Sequence, residues 1–347
     1  MRKIKFAILG CGRISYKHVE ALINNYADAE LVAVCDLIEE NAIARKTQYE
    51  MATQNSKVAV YTNYINMFET CEIDVVAIAT ESGYHAQHAL DAIKSGHHVL
   101  IEKPMALSVE DAQAIISEGK KYNKKICISH QNRFNPPIQK LRRAIEEGRF
   151  GRIINGTARI LWTRDDHYYQ QAPWRGTKAL DGGTLMNQCI HNIDLLQWMM
   201  CSDVERVHAE RGTFLRNIEM EDFGALLLRF KSGSIGIVEG SACVYPRNLE
   251  ETLSIFGEKG TVVIGGLAIN EIKVWQFEDS CEYDNTITDD AVDSVYGKGH
   301  TPLYQDFINA IFEDREPSIN GEEGIKAMKI ILEAYDASSL ISRKINA

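Results

Sequence analysis

IKFAILGCGRIS, residues 4–15, is the stretch that decides the fold. IKFAIL (4–9) is a short apolar run that ends on Gly10. GCGRIS (10–15) then opens into a helical pattern at about 14–25. Gly10 permits a tight turn, and Gly12 lets the backbone approach a pyrophosphate whose charge a helix N-terminus favours. The motif alone is weak, because its third small position holds Ser15 rather than glycine or alanine. Its context strengthens it. The next strand candidate, AELVAVC (29–35), ends beside Asp36, at the spacing of an acid that binds ribose hydroxyls. An aspartate there repels a 2′-phosphate, so NAD is expected rather than NADP. The pyrophosphate is expected over Gly10, Gly12, Arg13 and Ile14. A solvated Arg13, and a glycine turn in an unrelated α/β domain, are the plain alternatives.

Outward from this loop, VVAIAT (75–80), HHVLIE (97–102) and KICISH (125–130) read as further strands. Helical patterns at about 39–51, 84–95 and 108–122 alternate with them, and Ser108 with Glu110 and Asp111 fits a helix start. Apolar strands alternating with amphipathic helices predict a parallel sheet covered on both faces. After about residue 150 longer strand-like runs follow at 152–163, 204–214, 223–230, 234–244, 252–257, 261–266 and 271–277. SGS at 232–234 and GEKG at 257–260 supply hairpin turns. Helices at about 181–200, 302–313 and 322–341 are expected to cover one face of the resulting, mainly antiparallel sheet. The fold expected is an α/β Rossmann domain over 1–125, then an α+β domain over 126–347 for substrate binding and oligomerisation.

The length of 347 residues suits two domains. Hydrophobic residues at 45% and charged residues at 25% exclude a disordered or collagen-like chain. Acidic residues outnumber basic ones 48 to 38, a net charge of −10, and no basic stripe is present. Neither nucleic acid nor an anionic membrane surface is therefore an expected partner. None of the eight cysteines forms a CxxC pair, and most lie in apolar runs, which fits a reducing, cytoplasmic setting. MRKIKFAILG has a run too short for a signal peptide. No stretch approaches the roughly 18 apolar residues that span a bilayer.

Several segments carry candidate chemistry. ATESGYHAQHA (79–89) follows the VVAIAT strand, where α/β ligand sites lie, so Thr80, Ser82 and His85 are expected at the cofactor. His85 and His88 have HxxH spacing, yet no acid or thiolate completes a ligand set, and no metal is expected. In EKPMA (102–106), Glu102 and Lys103 are placed beside the nicotinamide; partial burial would let Lys103 trade a proton. The alternative is a surface lysine before a turn. In DGGTLMNQCIHNIDLLQWMM (181–200), Asn187 and His191 are four apart and share a face of the expected helix. His191 can act as a base near neutral pH or be a buried structural histidine. Asp194 orients it or serves structure alone. QNRFN (131–135) and LWTRDDHYYQQAPWRGT (161–177) gather Arg133, Arg164 and Arg175, which can grip an anion. His18, His130, His208 and His300 receive no catalytic assignment.

Together, GCGRIS, EKPMA and the His191 segment resemble the Gfo/Idh/MocA oxidoreductases, and the resemblance covers essentially the whole chain. WTRDDHYYQQAPWRGT, LDGGTLMNQCIHNIDLLQW, LRNIEMEDFG, YPRNLEETLSIFGEKGTVVIGGLAINEI and SVYGKGH look like the subgroup that oxidises UDP-N-acetylglucosaminuronic acid (UDP-GlcNAcA) at C3. The resemblance implies a 3-keto sugar product on the way to surface polysaccharide. It implies Lys103 and His191 as the acid/base pair, with Asn187 where many members carry aspartate. It also implies a dimer or tetramer. The substrate is expected between the domains, with contacts from Arg133, Arg164 and Tyr169. Ser15 and Glu81 depart from the commoner small residue and proline. An inositol or simple hexose dehydrogenase of the same family is the alternative, and a non-catalytic dinucleotide sensor is one of another class.

Overall fold

A computed structural model describes residues 2–54, 57–286 and 296–342. Ser294 and Val295 of SVYGKGH lie outside the described residues. The chain divides into two compact units, Met1–Gln131 with His300–Ile325, and Asn132–Gly299 with Lys326–Ala347. Both are discontinuous, because the chain returns to the first unit over 300–325, whereas the sequence assigns everything beyond 125 to the second domain.

In the first unit, β1 (Ile4–Leu9), α1 (Ser15–Asn24), β2 (Ala29–Cys35), α2 (Glu39–Thr53), β3 (Ala59–Tyr61), α3 (Tyr64–Thr70), β4 (Val75–Ile78), α4 (His85–Lys94), β5 (His98–Ile101), α5 (Val109–Tyr122) and β6 (Ile126–Ile128) alternate. The six strands pair in the order β3-β2-β1-β4-β5-β6, all parallel. Phe6, Ile8, Leu31, Val76 and Ile78 are fully buried, which is why these strands read as continuous apolar runs. Ser108 caps α5, accepting from the Asp111 amide. The chain leaves β1 first toward β2 and later returns to its other side as β4. That reversal makes a topological switch point at the C-terminal ends of β1 and β4.

The second unit contains α6 (Pro136–Glu146), β7 (Ile153–Leu161), α7 (Asp166–Gln170), α8 (Gly183–Asn187), α9 (Ile190–Met199), β8 (Val204–Thr213), β9 (Phe223–Phe230), β10 (Ile235–Ser241), β11 (Glu250–Gly257), β12 (Gly260–Gly265) and β13 (Glu271–Phe277). Then α10 (His300–Phe312) and the start of α11 (Gly321–Ala337) belong to the first unit, and β14 (Leu340–Ser342) returns to the second. The eight-stranded sheet has the order β13-β12-β11-β7-β10-β9-β8-β14. Only the β7–β10 and β8–β14 pairings are parallel, so the expected mainly antiparallel sheet is borne out.

One face of this sheet lies under α8 and α9. A Cβ at Gly224 would stand 2.8 Å from a Leu185 methyl, and one at Gly240 would stand 2.5 Å from the Cys189 sulfur. Glycine on the strands therefore lets the helices seat closely. The other face exposes Leu227, Ile235 and Ile237.

Two expectations are corrected. The helix over 181–200 is two helices, interrupted at Gln188 and Cys189. The helix near 302–313 does not cover the large sheet; α10 packs on α1 in the first unit. No sequence pattern announces β3, whose three residues are all half-buried, or the short α3 that follows.

Candidate active site

The switch point holds the glycine loop. Gly10 has φ +91°, and a Cβ there would fall 2.6 Å from Ala79 and Thr80 backbone atoms, so this position requires glycine. A Cβ at Gly12 would meet nothing within 4 Å, which leaves that side open to a ligand. Ser15 is buried, and its hydroxyl donates to the Gly12 carbonyl at 2.6 Å. The departure at the third small position thus ties the loop internally. Ile14 caps α1 without a side-chain hydrogen bond, and Arg13 is exposed. Asp36 accepts from the Cys11 amide at 2.7 Å and the Ile38 amide at 2.8 Å, which holds its carboxylate at the end of β2. An open glycine turn, an uncapped helix start and a fixed acid fit a dinucleotide.

Thr80 follows β4, and its hydroxyl lies 3.0 Å from His88 Nδ1. Burial, then the nearby His85, push the His88 pKa down to about 4. Ser82 is buried. The His85 ring lies between two carbonyl oxygens, with Nδ1 2.7 Å from Pro104 and Nε2 3.0 Å from Thr80. Burial lowers its pKa, so the ring is neutral and donates to one; the shorter contact assigns Nδ1 as donor. His88 thus meets the Thr80 hydroxyl, and His85 the Thr80 and Pro104 carbonyls.

Glu102 is buried beside half-buried Lys103. His18 Nε2 lies 3.1 Å and His300 Nε2 3.7 Å from Glu102 Oε1. Burial pushes the Glu102 carboxyl up, but the two imidazoles outweigh it and hold the group well below the usual range. His300 is pushed down by burial and stays neutral. The side chains of His85 and Glu102, both expected at the cofactor, are thus turned onto protein partners. His18, Glu102 and His300 are the one set among the described residues with metal-ligand spacing.

In the second unit, Asn187 closes α8 and His191 is the second residue of α9, so they do not share one continuous helix face. Asn187 donates to the Asp181 carboxylate, and Gln188 Nε2 donates to Asn187 Oδ1 at 2.6 Å. Asp181 also accepts from the Gly176 amide at 2.7 Å. Gln188 continues to the Tyr168 hydroxyl at 3.0 Å and accepts from Arg164 Nε at 3.0 Å. Arg175 donates to the Tyr168 hydroxyl at 2.6 Å. Both guanidinium groups pack on the Tyr168 ring, at 5.0 Å for Arg164 and 4.3 Å for Arg175. Neither forms an ion pair with a carboxylate among the described residues. Tyr169, Asn187, Thr184 and Asp181 line a small pocket with Tyr168 and Gln188. Burial pushes the Tyr169 phenol up.

Arg133 corrects the expectation of an anion contact. It is 3% exposed, and its Nε and Nη2 donate to Asp194 at 2.7 and 2.6 Å. Asp194 is fully buried and holds Arg133, the structural option left open for it. Sequence reasoning missed Asp181, Gln188 and Tyr168, although all three stand inside the quoted strings. Their roles arise from the α8–α9 break, which spacing does not reveal.

The fold and loop define an NAD-binding oxidoreductase. A model of the oxidoreductase family, NAD-binding Rossmann fold, matches residues 4–130, and the GFO/IDH/MocA C-terminal domain matches 138–263. The WlbA dehydrogenase of Bordetella pertussis, solved in complex with NADH and UDP-GlcNAcA, is similar at 36% identity and a TM-score of 0.88, covering 97% of this chain and 96% of that one. The myo-inositol 2-dehydrogenase of Thermotoga maritima is 25% identical over 98% of this chain and 97% of its own length. The scyllo-inositol 2-dehydrogenase (NAD(+)) of Bacillus subtilis is 28% identical over 78% of this chain and 77% of its own. The chain belongs to the Gfo/Idh/MocA oxidoreductase family. Its cofactor is NAD, and no helix among the described residues is long and apolar enough to cross a membrane.

Proposed function

We propose that the protein oxidises the C3 hydroxyl of UDP-GlcNAcA to the ketone. The likeness to a dehydrogenase solved with that sugar nucleotide, over nearly the full length of both chains, carries the reading. The arginine–tyrosine cluster of Arg164, Tyr168 and Arg175 supports it, because two cations without carboxylate partners among the described residues suit an anionic substrate. Tyr169 and Asn187 of the adjoining pocket are the further substrate contacts proposed.

NAD⁺, when bound, accepts the hydride from C3. Gly10, Gly12, Arg13 and Ile14 hold its pyrophosphate, and Asp36 its ribose hydroxyls. His191 takes the C3 hydroxyl proton, and Lys103 shares that proton network and stabilises the developing alkoxide. General base help of this kind is worth about 10²–10⁴ in rate. Asn187, held by Asp181, orients the sugar. The protein is placed in the cytoplasm, in supply of surface polysaccharide precursors. It is a dimer or tetramer that covers the exposed face carrying Leu227, Ile235 and Ile237.

The curated relatives that act on inositols favour a second reading, a polyol dehydrogenase. A substrate panel followed by NADH absorbance separates the two. Turnover of UDP-GlcNAcA supports the first; turnover of inositol alone supports the second. Tight NADH binding without turnover of any sugar or polyol identifies a sensor.

A further inference from the structure

Lys103 is flanked by two residues that buried histidines of the first unit approach. On one side is Glu102. His18 from α1 and His300 from α10 converge on its Oε1, at 3.1 and 3.7 Å. Its Oε2 accepts from the backbone amide of Lys103 itself at 3.3 Å. His18 is held in turn, with Nδ1 2.7 Å from the Tyr304 hydroxyl on α10. The Tyr304 hydroxyl contact fixes the His18 ring, while Nε2 and the carboxylate oxygen stand at ion-pair distance without a hydrogen bond between them. On the other side is Pro104. Its carbonyl accepts from His85 Nδ1 at 2.7 Å, while the far side of that ring meets the Thr80 carbonyl.

All three histidines are at most 2% exposed, so they are closed off from solvent chemistry. They come from three different helices and meet one three-residue turn. A buried carboxylate is costly, and here the Lys103 amide on Oε2 and the closeness of two imidazoles to Oε1 are what offset its charge. A side chain at the mouth of a strand is otherwise free to sample several backbone positions. Bracing both neighbours removes that freedom.

We propose that His18, His300 and His85 are positioning residues, which fix the backbone on either side of Lys103 and so preorganise its ammonium for proton transfer. The proposal rests on the dehydrogenase reading for Lys103. A loosened turn displaces the ammonium, and misplacement of about 1 Å can cost 10²-fold in rate.

The test uses full-length protein carrying His85→Ala, His300→Leu, and the amide variants His85→Asn and His300→Gln. Melting temperature and NADH binding identify the folded variants. With UDP-GlcNAcA as substrate, H85A and H300L are expected to lose about 10–100-fold in kcat, the range for loss of a supporting partner, with KM little changed. H85N and H300Q recover most of that loss. A second probe needs no substrate. Reductive ¹³C-methylation labels the lysines, and Lys103→Arg assigns the Lys103 resonance in the NADH complex. That resonance is expected to move in H85A and H300L, and to stay near its wild-type position in the amide variants. A Lys103 resonance unmoved in folded, NADH-binding H85A and H300L overturns the proposal, whatever the substrate. Normal kcat in those two proteins overturns it as well. So does a stoichiometric transition metal in the purified wild type that H300L lacks, which would make the cluster a metal site. If UDP-GlcNAcA is not oxidised but the resonance moves, the substrate reading fails and the positioning role stands.

Discussion

Asn187 donates its side-chain amide to the carboxylate of Asp181 and accepts from Gln188 at 2.6 Å. The resemblance to the family leads one to expect a carboxylate at position 187. Here a carboxylate stands one hydrogen bond behind the amide instead. The Asp181→Ala variant is expected to lose about tenfold or more in kcat, because Asn187 then loses this acceptor. Asn187→Asp sets two carboxylates against each other, and such a pair retains one proton. Its rate profile against pH should therefore acquire a new ionisation that the wild type lacks. A wild-type profile for Asn187→Asp would remove the pairing from the account.

Arg133 and Asp194 form a buried ion pair, with both partners at most 3% exposed. Asp194→Asn leaves a buried guanidinium without its counter-charge, and is expected to cost about 3–5 kcal/mol. Urea unfolding measures this. The KM for sugar in whatever protein folds should be little altered, because Arg133 serves structure. A large rise in KM at unchanged stability would restore Arg133 as a substrate contact.

Burial raises the Glu251 carboxyl to about 8 and the Glu221 carboxyl to about 7. A carboxyl of this type ordinarily titrates near 4.5, so the folded state binds more protons than the unfolded between that pH and about 8. The stability these groups contribute is therefore fully present below pH about 4.5 and lost as pH rises toward about 8. Thermal melting from pH 4 to 9 should show that decline. Glu251→Gln cannot ionise and is expected to flatten it, melting above the wild type at pH 9. An unchanged slope in Glu251→Gln would contradict the assignment.

Asp36 is held at the end of β2 by the Cys11 and Ile38 amides. Replacing it with serine removes the charge that opposes a 2′-phosphate. Asp36→Ser should bind NADH at least tenfold more weakly, the loss of about 1.4 kcal/mol expected for hydrogen bonds to a charged group, and should gain measurable NADPH binding. Calorimetric titration with both nucleotides checks this.

The first unit was legible because its strands are buried on both faces and stand out as apolar runs. Gly10, Gly12 and Asp36 are where the spacing placed them. The long strands of the second unit were legible for the same reason on one face only. The α8–α9 segment was not, because LMNQCIHNI keeps a helical apolar rhythm across the Gln188–Cys189 break. Asp181 looked like part of a helix start, and its role appears only once the chain turns back at Gly176. Arg133 could not be sorted from Arg164 by residue type, since the difference lies in Asp194, which is distant in sequence. His300 joins α1 and the EKP turn through a return of the chain that no local pattern announces.

The central claim is that Lys103 and His191 oxidise a UDP-sugar at C3 with NAD⁺. The most direct measurement incubates the purified protein with NAD⁺ and UDP-GlcNAcA, follows NADH absorbance, and analyses the sugar by mass spectrometry. The account predicts NADH in step with a product lighter by one hydrogen molecule, keto at C3, and formation abolished by His191→Ala. No NADH with UDP-GlcNAcA but ready formation with myo-inositol, or near-normal turnover in His191→Ala, would contradict it.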